Sequence, residues 1–420
     1  MIRRSWKTLL AGVALFGGMT VANTASAGEV YAAGGTNGTT QQIFGQGNDL
    51  TIQLASMSCS ADASCCAPMG SDLGCGEDAG CGEGCGSLFG GDDDDGEITF
   101  GGWIQMGYHS GLTPRSTARG DAGSFNNQPH RLNLHQGWLY AEKVADGSEG
   151  LDWGFRIDTM YGIDAGDTQS FGNPVGSWDN GGSFSRGADY GFAIPQLYAE
   201  IAKGDWSIKA GHFYTLVGYE VVTAPDNFFY SHALTMFNTE PFTHTGVLAT
   251  YAASDDTTLY GGWTAGWDSG FDSLNGGSSF LGGFSTAVSE NATFTYIATA
   301  GNFGARSNGA NGYSHSLLLD TAITDDLNWI LQSDLLRVDA TGEDQLGVNT
   351  YLIKSISDKI GVGTRAEWWK NNGVSQYAVT YGLNIRPLEN LIIRPELRHD
   401  WDDPNVGSES TFGIDAILTF

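Results

Sequence analysis

Residues 97–420 predict an all-β fold, a transmembrane antiparallel β-barrel of about 16 strands, with 14 and 18 also open. Three observations carry this expectation. The final stretch alternates with a period of two: Phe412, Ile414, Ala416, Leu418 and Phe420 share one apolar face, and Thr411, Gly413, Asp415, Ile417 and Thr419 form the other. Such a strand suits a wall with hydrocarbon on one side and a lumen on the other. Many earlier segments of similar length repeat the pattern. The connections between them also alternate, short ones falling on one end and the longest on the other, an asymmetry of outer-membrane barrels.

The N-terminus reads as an export signal. Arg3, Arg4 and Lys7 precede an apolar run from Leu9 to Val21, and Ala25-Ser26-Ala27 is a small-residue cleavage site, which predicts a signal peptide over 1–27. Beyond it there is no uninterrupted apolar run long enough for a membrane helix, a result that leaves a barrel open. The 420 residues include 61 Gly, 21 Phe, 16 Tyr and 12 Trp, with only 16% charged residues, a composition suited to a turn-rich β protein. After cleavage, 17 basic residues face 48 acidic ones, a net charge of −31. Nucleic acid is excluded as a partner by the missing basic footprint.

Residues 28–96 form a low-complexity, acidic, Cys-rich periplasmic segment with 11 acidic residues and no Lys or Arg. It lacks the apolar area to offset the entropy of ordering. All six cysteines lie here, Cys59, Cys65, Cys66, Cys75, Cys81 and Cys85. Their even number in an exported chain points to disulfides or cross-links, with the pairing open. Their spacing matches no tight zinc pair. Asp92 to Asp95 lack the spacing of a calcium loop and read as a solvated spacer.

From Ile98 onward the expected strands are 98–110, 132–144, 151–161, 190–202, 206–213, 246–253, 257–269, 279–288, 292–303, 313–323, 327–338, 345–356, 360–370, 374–386, 391–400 and 410–420. The even-numbered connections are short, and the odd-numbered ones include 111–131, 162–189 and 214–245. An even strand count places both ends on one side, expected to be the periplasm.

Alternation also assigns faces. A Lys or Arg facing lipid near mid-membrane costs about 2–4 kcal/mol, so the ions within strands belong to the lumen. The lumen-lining candidates are Arg156, Arg365, Arg394 and Arg398, expected to oppose Asp158, Asp334, Glu367 and Glu396. They either satisfy a water-filled wall or set up a transverse field. Trp103, Tyr108, Trp138, Tyr140, Trp153, Tyr161, Trp206, Trp263, Trp267, Trp329, Trp368, Trp369 and Trp401 are candidates for interfacial girdles.

The connection 214–245 stands apart. It is too long for a hairpin and too apolar for a solvated loop, with Val221, Val222, Phe228, Phe229, Tyr230, Leu234, Met236, Phe237 and Phe242. It is expected to fold inward, bringing Glu220, Asp226, His232, Glu240 or His244 to a constriction. An outer cap, a subunit contact and an adhesive surface are the alternatives. The eight His residues form no zinc motif with Glu, and no nucleophile elbow, phosphate loop or dinucleotide fingerprint is present, so no enzyme activity and no cofactor are expected.

Several stretches carry a family resemblance: "GGWIQMGYHSG", "FNNQPHRLNLHQGWLYAEK", "YGFAIPQLYAEI", "IKAGHFYTLVGYEVVTAPDNFFYS" and "PFTHTGVLATY". Over about Gly101 to Phe420 the chain resembles the OmpL-like β-barrel porins, in the version met in planctomycete-like bacteria. That resemblance implies an outer-membrane pore for ions and small polar solutes. The expected partners are outer-membrane lipid, those solutes, further copies of the chain, and an envelope partner for the Cys-rich prefix. The −31 charge adds an expected weak cation preference. The rival expectation is a plugged outer-membrane anchor or surface interaction protein without transport.

Overall fold

A computed structural model describes residues 98–112, 125–170, 173–174, 176–180, 189–272, 275–339, 341–402 and 408–420. The expected signal peptide and the six cysteines of the prefix lie outside the described residues.

The described strands are β1 (Thr99–His109), β2 (Leu132–Lys143), β3 (Asp152–Gly162), β4 (Gly191–Lys203), β5 (Trp206–Tyr214), β6 (Thr243–Ser254), β7 (Thr257–Thr264) and β8 (Ser278–Ser289). The second half adds β9 (Ala292–Asn302), β10 (Asn311–Thr324), β11 (Leu327–Val338), β12 (Glu343–Ser357), β13 (Ile360–Asn371), β14 (Val374–Leu388), β15 (Leu391–Asp402) and β16 (Ser408–Thr419). Each pairs antiparallel with its neighbours in sequence, and β1 pairs with β16, closing a 16-stranded barrel. Closure removes the edges that an open sheet would expose to lipid. At the seam Tyr108 stands opposite Ile414 and Trp103 opposite Thr419. Backbone bonds of 2.9 and 3.0 Å join Gly102 to Phe420. A side chain at Gly102 would strike the Trp138 carbonyl and crowd the Phe420 ring, so the seam requires glycine there.

The alternation holds on both faces. On β16 Phe412, Leu418 and the terminal Phe420 are exposed outward, while Thr411, Asp415 and Ile417 are buried inward. On β15 Leu397 is 52% exposed and its neighbour Arg398 is 0% exposed. Trp153, Tyr161, Trp206, Trp263 and Trp401 are exposed on the outer face. Trp103, Trp138, Trp267 and Trp369 are not girdle residues, because strand parity and loop packing turn them inward, where they are buried. Trp103 stacks on Trp138 at 4.6 Å, and Trp267 on Phe303 at 4.6 Å.

Two expectations change. β7 stops at Thr264 instead of running to 269, since Gly266 and Asp268 adopt positive φ and turn the chain inward. The asymmetry of connections weakens in the second half, where 303–310 between β9 and β10 is the longest described link on the loop end. Between β13 and β14 only Asn372 and Gly373 remain, both at positive φ, as a tight hairpin turn requires.

Sixteen strands are enough to leave an aqueous channel in the general case. Here the middle of the lumen is filled. Inward residues Leu248, Tyr260, Leu281, Ile297, Leu318, Ile330 and Tyr351 form one buried cluster with Leu216, Val217 and Phe229 of the β5–β6 connection.

Candidate functional site: the loop inside the barrel

The β5–β6 connection, residues 215–242, enters the lumen. Thr223 at its first bend bonds the Asp226 carboxylate, Pro225 starts a short 3-10 turn, and Asn227 donates to the carbonyls of Val221 and Thr223 at 2.6 and 3.0 Å. A second turn, Leu234–Asn238, is entirely buried. A loop this apolar satisfies its peptide groups only by meeting polar side chains of the wall.

The wall supplies them from several strands. On β2, Gln136 donates to the Val222 carbonyl at 2.8 Å and accepts from the Ala224 N–H at 3.1 Å. On β11, Gln332 accepts from the Tyr219 N–H at 3.1 Å and donates to Glu240 at 2.7 Å. On β12, Asn349 donates to Thr235 at 2.5 Å. On β15, Glu396 accepts from the N–H groups of Tyr230 and Ser231 at 2.9 and 3.1 Å. On β13, Glu367 accepts from the Leu234 N–H at 2.7 Å.

An ion cluster sits at the centre. Arg365 pairs with Glu220 of the loop at 2.6 Å and with Glu367 at 2.7 Å, and donates to the Ser231 carbonyl at 2.7 Å. Arg398 pairs with the same Glu367 at 2.7 Å and with Asp400 at 2.9 Å. Arg394 pairs with Asp415 at 2.5 Å and donates to the carbonyls of Ala224 and Asn227 at 2.9 and 2.6 Å. Charges taken out of water in this way hold position when their geometry is complete, and removing one partner strands the other.

The lumen-lining candidates all sit on strand positions that face inward, yet most of them do not line water. Arg365, Arg398, Glu367, Arg394, Glu396 and Asp334 are buried, because the loop covers them. Arg156 alone keeps some exposure, at 13%, and pairs with Asp158 and Glu142. The expected opposition of charges is only partly met. Arg156–Asp158 and Arg365–Glu367 are pairs two residues apart on one strand. Glu396 serves loop N–H groups, and Asp334 accepts from Gln332 at 2.6 Å. Of the constriction-loop candidates, Glu220, His232, Glu240 and His244 are buried, and Asp226 is exposed. His244 belongs to β6 and bonds Thr215 and the Gly266 carbonyl. His232 packs edge-on against Phe125 at 4.9 Å.

Sequence reasoning missed Gln136, Gln332, Asn349, Asp400 and Asp415. Strand parity marks all five as inward; the three neutral amides carry no charge signal, and Asp400 and Asp415 do carry one but were not matched to Arg398 and Arg394.

The burial divides the lumen into two halves. Toward the loop end, every loop residue from Ser231 to Phe242 is buried. Toward the end with the chain termini and two-residue turns, Tyr140, Glu142, Arg156, Glu200, Asp320 and Arg386 are partly exposed. This less buried half is the vestibule; on the loop, Tyr219, Pro225 and Phe228 are partly exposed as well, and Asp226 is exposed. Among the described residues no group of His, Cys, Asp and Glu forms a metal cluster.

The family model described as "Putative beta-barrel porin-2, OmpL-like" matches residues 97–420. The chain belongs to this family of β-barrel porins. It is an outer-membrane β-barrel of the porin class, and that membership sets it apart from enzymes. No curated protein matches the sequence. Among solved structures, the outer-membrane channel DcaP of Acinetobacter baumannii is similar with a TM-score of 0.52 and 10% identity, over 77% of this chain and 97% of that one. The loop L8 deletion mutant of OmpT from Vibrio cholerae gives 0.50 and 10%, over 78% and 100%. A mutant of the Rh. blastica porin gives 0.50 and 10%, over 77% and 100%. At such identities the likeness is one of fold.

Proposed function

We propose that this porin carries ions and small polar solutes through its lumen, that loop 215–242 is its narrowing element, and that both chain ends lie on the periplasmic side. The observation that carries this reading is the way the loop is held. It crosses the lumen on hydrogen bonds and ion pairs to inward residues of β2, β11, β12, β13 and β15. The vestibule beneath it stays polar and reachable by water. The two-residue turns at the end with the termini support a periplasmic placement. The −31 charge supports a weak preference for cations. The Cys-rich prefix, which precedes β1 in the sequence, suits an envelope partner, and assembly into homo-oligomers accompanies this reading.

A second reading, a plugged anchor, is favoured by the complete burial of residues 231–242. Single-channel conductance of the refolded protein separates the two, recorded beside a variant with residues 218–239 replaced by a short Gly-Ser linker. Openings that enlarge in the variant support a porin narrowed by its loop. Openings of equal size keep the pore and reject the loop's role. A native barrel that is silent until the loop is replaced supports the plug. A folded barrel silent in both forms rejects conduction.

A further inference from the structure

One buried lumen cation lies outside the ion-pair network. Lys209 on β5 points inward and is only 4% exposed. Arg365, Arg394 and Arg398 are buried to a similar degree, and each holds a carboxylate. Lys209 forms no ion pair or hydrogen bond among the described residues. Its ammonium lies over the Tyr198 ring, 4.4 Å from the centroid, with the Phe213 ring at 6.0 Å. A ring face returns only part of the hydration that a buried ammonium loses.

The residue directly across the ladder is Glu200. Both side chains face the lumen, and opposite residues on paired strands are close enough for such a pair to form. Among the described residues they do not form one, and the ammonium lies over the Tyr198 ring instead. Glu200 is half-buried and likewise has no partner among the described residues. Next to them Arg156 is already satisfied by Glu142 and Asp158 and stacks on Tyr140 at 4.4 Å. Among the described residues the vestibule wall thus holds an unpaired ammonium over an aromatic ring and, directly across the ladder, an unpaired carboxylate.

We propose that Lys209, Glu200 and Tyr198 form a subsite for a small zwitterion, an amino-carboxylate solute whose carboxylate meets Lys209 and whose ammonium meets Glu200. A simple anion would sit beside the Glu200 carboxylate, and a simple cation beside the Lys209 ammonium. A ligand carrying both charges satisfies both groups at once. The inference rests on the reading of the lumen as a solute path.

The test is isothermal titration of the detergent-solubilised, refolded protein with L-alanine, acetate and ethylammonium separately. L-Alanine is expected to bind at least tenfold more tightly than either single-charge probe. Lys209→Gln and Glu200→Gln are each expected to weaken L-alanine at least tenfold. Lys209→Met keeps the packing on Tyr198 and is expected to fold normally while losing the binding. Undiminished L-alanine binding in these variants, no binding by the folded native protein, or acetate binding as tight as L-alanine would each overturn the proposal. A barrel that conducts but does not bind L-alanine refutes the subsite alone, and one that binds it but stays silent refutes passage alone.

Discussion

The two sides of the lumen hold the same loop by different physics. On the side of β13, β15 and β16, Arg365, Glu367, Arg394, Glu396 and Arg398 bond particular peptide groups, such as the Leu234 N–H and the Ser231 and Asn227 carbonyls. On the side of β6 to β12, Leu248, Leu281, Ile297, Leu318 and Ile330 pack against Leu216, Val217 and Phe229. Hydrogen bonds are directional, so the charged side fixes where the loop lies. Apolar burial is not directional, so the other side fixes how well the space is filled. A loop fastened on one side and packed on the other has a defined resting place from noncovalent contacts alone, beyond its two chain connections to β5 and β6.

The largest expected effect follows from breaking the charged side. Arg365→Ala leaves Glu220 and Glu367 buried without their central partner and is expected to weaken loop docking by about 3–5 kcal/mol. Limited proteolysis should then cleave within 218–240 while the barrel keeps its heat-modifiable mobility on gels. An uncut loop would show that the apolar side alone sets its position. Leu281→Ala on the apolar side is expected to cost about 3 kcal/mol by leaving a cavity. It should lower the denaturant midpoint of the whole barrel and leave the loop as resistant to protease as before. Selective release of the loop in this variant would erase the distinction between the two sides.

The smallest effect lies outside the barrel wall and sharpens the same contrast between charge and packing. Asp179, in the β3–β4 connection, is 3% exposed and accepts from the N–H groups of Ser170 and Ile194 at 3.1 and 3.0 Å. Burial outweighs these bonds and pushes its carboxyl up from 3.8 to about 6. The folded state therefore binds the proton more tightly than the unfolded chain. This contribution to stability is complete below the ordinary value and is lost as pH rises through about 6. Amide exchange in residues 163–170 and 176–180 should be slower at pH 5 than at pH 8, after correction for intrinsic rates, and Asp179→Asn should flatten the difference. Equal protection at both pH values in the native protein would show that the backbone bonds dominate.

The sequence by itself determined the barrel, because lipid and lumen impose a period of two that any single strand records. Phe412 to Phe420 show it, and so do the sixteen segments that match β1 to β16 one for one. It also marked 214–245 as a loop that water would not hold, since Phe228, Phe229, Phe237 and Phe242 have too much apolar surface for an exposed connection. It placed Arg365, Arg394 and Arg398 on the inner face, because the outer face excludes charge.

Only the tertiary structure decided which partners these groups take. Glu220 and Arg365 are 145 residues apart, and Glu396 and Tyr230 are 166 apart. No local pattern links such positions, since closing the barrel and threading the loop are what bring them together. The same holds for water. Parity states that Arg398 and Arg156 both face the lumen, but the course of the loop leaves one dry and the other in the vestibule. Lys209 and Glu200 show this at the smallest scale. Their alternation predicts a facing pair, whereas in the fold the Lys209 ammonium lies over the Tyr198 ring.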